Sequence, residues 1–265
     1  MSVLAGKRIL ISNDDGVQAP GIERLEKIAR QFTDDVWVVA PESDHSGAGH
    51  SLTLSEPVRV RQLSDQKFAV SGTPTDSVLV ALLEIFPNRR PDLLLSGINR
   101  GGNLGEDITY SGTVAAAMEG TLFGVPSIAL SQHTDTSSRT PWATAEHHAP
   151  ALLERLVAAG WPKNVFLNVN FPDVAAGEVV GTVVTRQGRR NPGSKPDRRE
   201  DPRGRPYYWI DSARIEQPTL EGSDLSAVYG GKISITPLHL DLTHHETCVA
   251  LGRHSIGEDE GRRFV

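Results

Sequence analysis

Two adjacent acids, Asp14 and Asp15, follow a short apolar run and sit inside the tetrad Asn13-Asp14-Asp15-Gly16. Neighbouring carboxylates held close repel, and one takes up a proton unless a cation neutralises the pair. Two other stretches deliver polar side chains, most of them oxygen donors: Ser43, Asp44, His45 and Ser46 in one, Asn99 and Asn103 in the other. Carboxylate, hydroxyl and amide oxygens together suit a hard divalent ion, Mg²⁺, Mn²⁺ or Ca²⁺, and not a thiolate-seeking metal. Asn, Asp and Gly are equally what an ordinary strand-to-helix turn and helix cap use, so residue types alone leave both uses open.

A second cluster, Tyr110-Ser111-Gly112-Thr113, leads from a polar loop into an Ala-rich segment. Backbone N–H groups at a helix N-terminus, with two hydroxyls beside them, make an anion cradle, and phosphate is the natural anion opposite a bound cation. A plain Ser or Thr helix cap is the competing use. Gly72-Thr73-Pro74-Thr75-Asp76 is another turn of this kind, in which Thr73 reads as a cap. Several common chemistries lack their motif. The first strand-helix turn has no Gly-x-Gly-x-x-Gly, and neither a Gly-x4-Gly-Lys-Ser/Thr loop nor a Gly-x-Ser-x-Gly elbow occurs. His147/His148 and His244/His245 are adjacent pairs without the i, i+4 spacing of a helical zinc site.

These residues need elements to bring them together. Residues 8–12 form a short, largely apolar run that stops at the Asp14/Asp15 tetrad, which predicts a buried strand ending in a loop. Ile22, Leu25, Ile28, Ala29 and Phe32 recur at three- and four-residue spacing, which predicts a helix opening near Pro20. Residues 36–40 are a second buried strand, so the chain opens with a strand-helix-strand unit and a parallel sheet. A polar loop then leads to a predicted hairpin, 58–62 and 68–71.

Further along, a helix opens at Pro74, strands are predicted at 93–96, 127–131 and 165–169, and helices at 113–123 and 142–159. Residues 97–112 look like a long loop with few core residues. In an open parallel sheet ligands bind beyond the carboxyl ends of the strands. That is where the first, second and 93–96 strands would deliver the three donor loops.

Composition narrows the function classes. The 265 residues are 38% hydrophobic, enough for a large core without disulfide staples. Lys and Arg number 27 against 33 Asp and Glu, a net charge of -6, which argues against a bulk nucleic-acid binder and predicts no stable nucleic-acid partner. The single cysteine, Cys248, excludes an intrachain disulfide and a Cys-based zinc site. No apolar run approaches the ~18 residues of a membrane helix and no secretory signal is visible, so a cytoplasmic protein without a membrane partner is expected.

After Thr185 the pattern changes. Residues 186–205 carry eight basic and three acidic residues with three prolines and three glycines, which reads as an exposed loop or arm. Strands are predicted at 207–210 and 232–238, as an appended β region able to reach a neighbouring subunit. The expected organisation is a catalytic core over 1–185 and a C-terminal segment, 186–265, that completes the fold and serves oligomerisation.

The blocks ILISNDDGVQAPGI, VVAPESDHSGAGHSLTL, GTPTDSV, SGINRGGNLGEDITYSGTVAAAMEG and ISITPLHLDLT, in that order from Ile9 to Thr243, resemble the SurE family, the survival-protein E nucleotidases. The resemblance implies a metal-dependent phosphatase acting on nucleoside 5'- and 3'-monophosphates, with short polyphosphate as a further substrate of some members. It implies one divalent ion per subunit, Mg²⁺ or Mn²⁺, on Asp14, Asp15, Ser46 and Asn99, with the two aspartates catalytic. Ser111, Gly112 and Thr113 would then bind the phosphate, with Asn103 a further donor.

The implied fold is α/β, a Rossmann-like three-layer core with a mostly parallel sheet. An extended C-terminal β arm would exchange between the subunits of a homodimer or homotetramer, with Asp241 and His245 in its hinge. Gly49-His50 and Arg100-Gly101-Gly102 depart from the usual pattern, which bears on substrate preference. A haloacid dehalogenase phosphatase would need Asp-x-Asp, and Gly16 stands where the second acid would fall. A non-catalytic nucleotide-binding module would have no need of paired acids.

Overall fold

The computed structural model describes residues 2–86, 88–134, 140–192, 196–210, 214–215 and 220–253. Strand β1 (Ile9–Ser12), helix α1 (Pro20–Ala29) and strand β2 (Val36–Pro41) form the expected unit, with β1 and β2 parallel. The hairpin β3 (Val60–Ser64) and β4 (Lys67–Val70) does not stand apart, because β4 joins β2 in parallel. Helix α2 (Pro74–Val80) starts from a capping box between Thr73 and Asp76 and continues as a π-helical turn, Ala81–Ile85. There follow β5 (Leu93–Arg100), α3 (Gly112–Leu122), β6 (Ser127–Gln132), α4 (Trp142–Ala159) and β7 (Val165–Phe171). Among the described residues no helix is long and apolar enough to cross a membrane.

Strand β8 (Gly181–Val184) follows β7, and after it the small pieces β9 (Asn191–Pro192), β10 (Asp197–Glu200), β11 (Pro206–Trp209) and β12 (Arg214–Ile215). Helix α5 (Asp224–Tyr229), β13 (Lys232–His239) and α6 (His245–Arg253) close the described chain. The main sheet has nine strands in the order β3-β4-β2-β1-β5-β6-β7-β13-β8. From β4 to β7 every neighbouring pair is parallel. The chain leaves β1 toward β2 and β4 on one side, and β5, β6 and β7 extend the other side. The strand order therefore reverses between β1 and β5, the switch point where such sheets open a crevice for ligands.

Both faces of this sheet are covered. Ile9, Ile11, Leu93 and Leu95 pack in one apolar cluster with Ile22, Leu25 and Leu153, residues of α1 and α4. Leu10 and Leu94 point the other way, into a second cluster with Val78, Val114 and Ala117 of α2 and α3. Alternate strand residues thus feed opposite layers, which is why the central strands are apolar runs without a polar face.

Two expectations change. Residues 232–238 are not appended: β13 lies inside the main sheet, antiparallel to β7 and parallel to β8. Its Ile233 and Ile235 enter the α1/α4 cluster, and the Ser234 and Thr236 hydroxyls meet Thr185 Oγ1 at 2.7 and 2.8 Å. Residues 97–112 are not all loop, because β5 runs to Arg100, a 3-10 turn spans Gly105–Thr109, and Ile98 and Leu104 are fully buried. β10, inside the basic stretch, forms an exposed antiparallel pair with β11 just beyond it. Residues 193–195 of that stretch, and 211–213, 216–219 and 254–265 of the expected arm, lie outside the described residues.

Candidate active site

The turn after β1 is built from its own side chains. Asn13 Nδ2 donates to the Gly16 carbonyl at 2.9 Å, and the His45 N–H donates to the Asp14 carbonyl at 2.8 Å. The second bond draws the loop after β2 against the loop after β1. Asp14 itself is buried, and the Thr113 hydroxyl donates to its Oδ1. A Cβ on Gly112 would stand 2.7 Å from Asp14 Cβ, so glycine is what lets α3 bring its first turn against the carboxylate.

The third loop arrives from the other side of β1. Arg100 N–H points at Asp15 Oδ2 at 3.4 Å. Between Ser96 and Asn99 the β5/β6 register slips, and Gly97 at that bulge has φ +130 with the space of its Cβ taken by the Leu130 carbonyl, 2.2 Å away. Bulges of this kind re-aim a strand end, here the one carrying Asn99. Asn99 Nδ2 donates to the Gly101 carbonyl at 2.9 Å. Ser46 is exposed, and its hydroxyl and N–H both donate to Asp44 Oδ1, at 2.6 and 2.7 Å. The Asp14, Asp15, Ser46 and Asn99 loops thus meet at the switch point.

The residues read as phosphate ligands divide. Ser111 caps α3, its Oγ accepting from the Val114 N–H at 3.0 Å, and Gly112 and Thr113 face Asp14 from the same helix end. Asn103 is tied into the adjoining strand ends: Nδ2 donates to Oγ of Ser131, the register partner of Asn99, at 2.8 Å, its N–H to Asn170 Oδ1 at 2.8 Å, and its carbonyl accepts from Asn168 and Asn170. Thr73 is a cap, accepting from the Asp76 N–H and donating to the Ser51 carbonyl. His148 Nε2 meets the Ala176 carbonyl and His245 lies 3.6 Å from Asp241, both away from the paired acids. A pair without a sequence signal is His50 with Glu119, Nε2 to Oε2 at 2.8 Å. Glu119 stands among small residues in α3, and spacing along the chain gives no hint that His50 meets it.

Electrostatically the turn is unsettled. Burial raises the Asp14 carboxyl above its ordinary range, opposed by hydrogen bonds from Thr113. Burial, with the Asp14 charge behind it, pushes Asp15 up to about 7, and Asp44 adds to the repulsion on both. Asn13 Oδ1, Ser12 Oγ and Ser96 Oγ at the same strand ends are buried without a hydrogen-bond partner among the described residues. Among the described residues no three His, Cys, Asp or Glu side chains converge in a ready metal cluster. The donor set here is different in kind, paired carboxylates with hydroxyl and amide oxygens, and it fits a hard divalent cation that would lift the repulsion.

A family model described as survival protein SurE matches residues 9–194. The chain belongs to the SurE family. A 5'-nucleotidase SurE of Paramagnetospirillum magneticum is 57% identical over 244 residues, covering 92% of this chain and 94% of that protein. One from Parvibaculum lavamentivorans is 55% identical over 92% of this chain and 89% of its own length. The crystal structure of a SurE protein from Aquifex aeolicus aligns with a TM-score of 0.80 at 40% identity, covering 93% of this chain and 99% of that one. The SurE assignment thus extends well past the family-model match into the C-terminal segment that holds β13.

Proposed function

We propose that this SurE chain is a metal-dependent phosphatase that hydrolyses nucleoside 5'- and 3'-monophosphates to nucleoside and phosphate, with short polyphosphate as a further substrate. Enzymatic nucleotidase or phosphatase activity is supported by relatives that carry the name 5'-nucleotidase SurE over nearly the whole chain. The observation that carries the chemistry is the junction of Asp14 with the first turn of α3, where Thr113 and Gly112 lie against a buried carboxylate. An anion-binding helix end and a pair of acids have no reason to be brought together unless a cation bridges their charges.

In this mechanism Asp14, Asp15, Ser46 and Asn99 would hold one Mg²⁺ or Mn²⁺ per subunit, which would supply Lewis-acid charge stabilisation to the hydrolysis. Ser111, Gly112 and Thr113 receive the phosphate through N–H groups and hydroxyls, orienting it against the acids. The Asp14/Asp15 pair takes the proton of the attacking water. Asn103 supports this arrangement through the floor of the crevice, tying the loop before α3 to β6 and β7. We further propose a cytoplasmic homodimer or homotetramer in which part of segment 186–265 exchanges between subunits.

Phosphate release from AMP and GMP, measured with EDTA and then with Mg²⁺ or Mn²⁺ restored, tests the reaction. Release that survives complete metal removal would overturn it. Light scattering on a sizing column tests the assembly, for which a monomer at micromolar concentration is the contrary result.

A further inference from the structure

The first turn of α3 belongs to the phosphate end of the site, but the helix continues past it along a cavity of about 660 Å³. Ser111, Val114, Ala115 and Met118 share one helical face and line one wall. Phe166 of β7 and Leu238 of β13 also line it. This size and largely apolar lining, with a few polar groups, are those of small-molecule sites. One of the polar groups is His50, carried on the same loop as Ser46.

His50 is held from behind. Its Nε2 lies 2.8 Å from Glu119 Oε2, and the Glu119 side chain is 8% exposed. A carboxylate accepts, so the neutral imidazole carries its hydrogen on Nε2 and keeps Nδ1 as an acceptor. Glu119 lies about two turns along α3 from Gly112, about 10 Å at ~1.5 Å per residue. That is the reach from a phosphate across a sugar toward a base.

Resting on the phosphatase reading above, we propose that this cavity receives the nucleoside half of the substrate and that His50, oriented by Glu119, accepts a hydrogen bond from its sugar or base. An inorganic polyphosphate has no organic half to place there and gains nothing from it. The cavity thus makes nucleotides the better substrates.

The two product halves separate the two parts of the site. Adenosine, guanosine and inorganic phosphate are each measured as inhibitors of AMP hydrolysis by the metal-loaded enzyme, and adenosine and guanosine binding by calorimetry in EDTA. The variants are His50→Ala, His50→Gln, Glu119→Gln and Thr109→Trp, the last placing a large ring at the exposed wall formed by Thr109. Expected is a tenfold or greater loss of nucleoside binding in His50→Ala and Thr109→Trp, partial recovery in His50→Gln, and less than a twofold change in phosphate inhibition. Nucleoside that fails to bind while AMP is still hydrolysed, or variants that weaken both halves alike, would overturn the cavity and leave the phosphatase standing. A wild-type protein that releases phosphate from no nucleotide overturns the phosphatase reading and this use of the cavity together.

Discussion

Asp14 and Asp224 are both buried, and the fold treats them in opposite ways. Asp224, at the start of α5, accepts N–H groups from Gly105 at 2.9 Å, Gly188 at 2.8 Å and Leu225 at 2.8 Å, and the charge of Arg190 acts in its favour. Asp14 accepts from the Thr113 hydroxyl and from backbone N–H groups at the same turn, but its charged neighbours, Asp15 and Asp44, are acids. Burial raises both carboxyls and hydrogen bonds oppose it at both, but at Asp224 the neighbouring charge is a cation, Arg190, and at Asp14 it is another acid. A carboxylate surrounded by the protein's own N–H groups staples a fold. One beside other acids at a sheet switch point lacks that internal cation, which is the contrast the proposed metal site builds on.

Asp14→Asn separates these roles most strongly. It should cut nucleotide hydrolysis about a thousandfold, the upper end for loss of a single preorganised group, while Tm holds or rises because a penalised buried charge is gone. Full activity in that variant would break the contrast. Asp224→Ala should do the reverse, leaving the Gly105 and Gly188 N–H groups unpaired at a cost of about 3 kcal/mol. For a domain of this size Tm should then fall roughly 6–12 °C, at ~2–4 °C per kcal/mol. A neutral Asp224→Ala in thermal denaturation would remove the staple from the comparison.

The acid pair also sets a pH dependence. Asp15 rises from 3.8 to about 7 in the folded, metal-free chain, so the fold binds this proton more tightly than the unfolded chain does. Its stabilising contribution is complete below pH 4 and is lost as pH climbs through 7. A cation that takes the proton's place should therefore raise Tm more at pH 8 than at pH 5. Equal shifts in differential scanning fluorimetry with Mn²⁺ at the two pH values would count against the site. The finest distinction lies between two helix caps. Thr73→Ala and Ser111→Ala should each cost about 1 kcal/mol of stability, but only Ser111→Ala should also weaken phosphate inhibition, since its helix carries the Gly112–Thr113 turn that bonds Asp14.

How much of this was legible beforehand differs from element to element. The strand at 8–12 and the helix at 20–29 announced themselves because apolar residues must repeat with the period of the element that buries them. The tetrad at Asn13–Gly16 could be seen as a donor set but equally as a turn, since one residue type serves both. Ser111 turned out to be a helix cap, the competing use, at the helix end that lies against Asp14. The partner of β13 was not legible, because a strand's hydrogen-bonding groups are the same on every chain segment and only packing chooses among them. The same holds for His50 and Glu119, which nothing in their spacing connects.

Local chemistry along the chain was enough to determine the alternation of strands and helices, the oxygen-rich loops and, through five ordered blocks, kinship with the SurE family. The meeting of those loops at the β1/β5 reversal, the clamping of Asn103 into the sheet and the insertion of β13 were decided by tertiary structure. Periodicity is a property of neighbours in sequence and survives being read one residue at a time. Contacts between distant segments depend on which of many compatible surfaces bury the most and leave the fewest polar groups unpaired, and that choice exists only once the whole chain has folded.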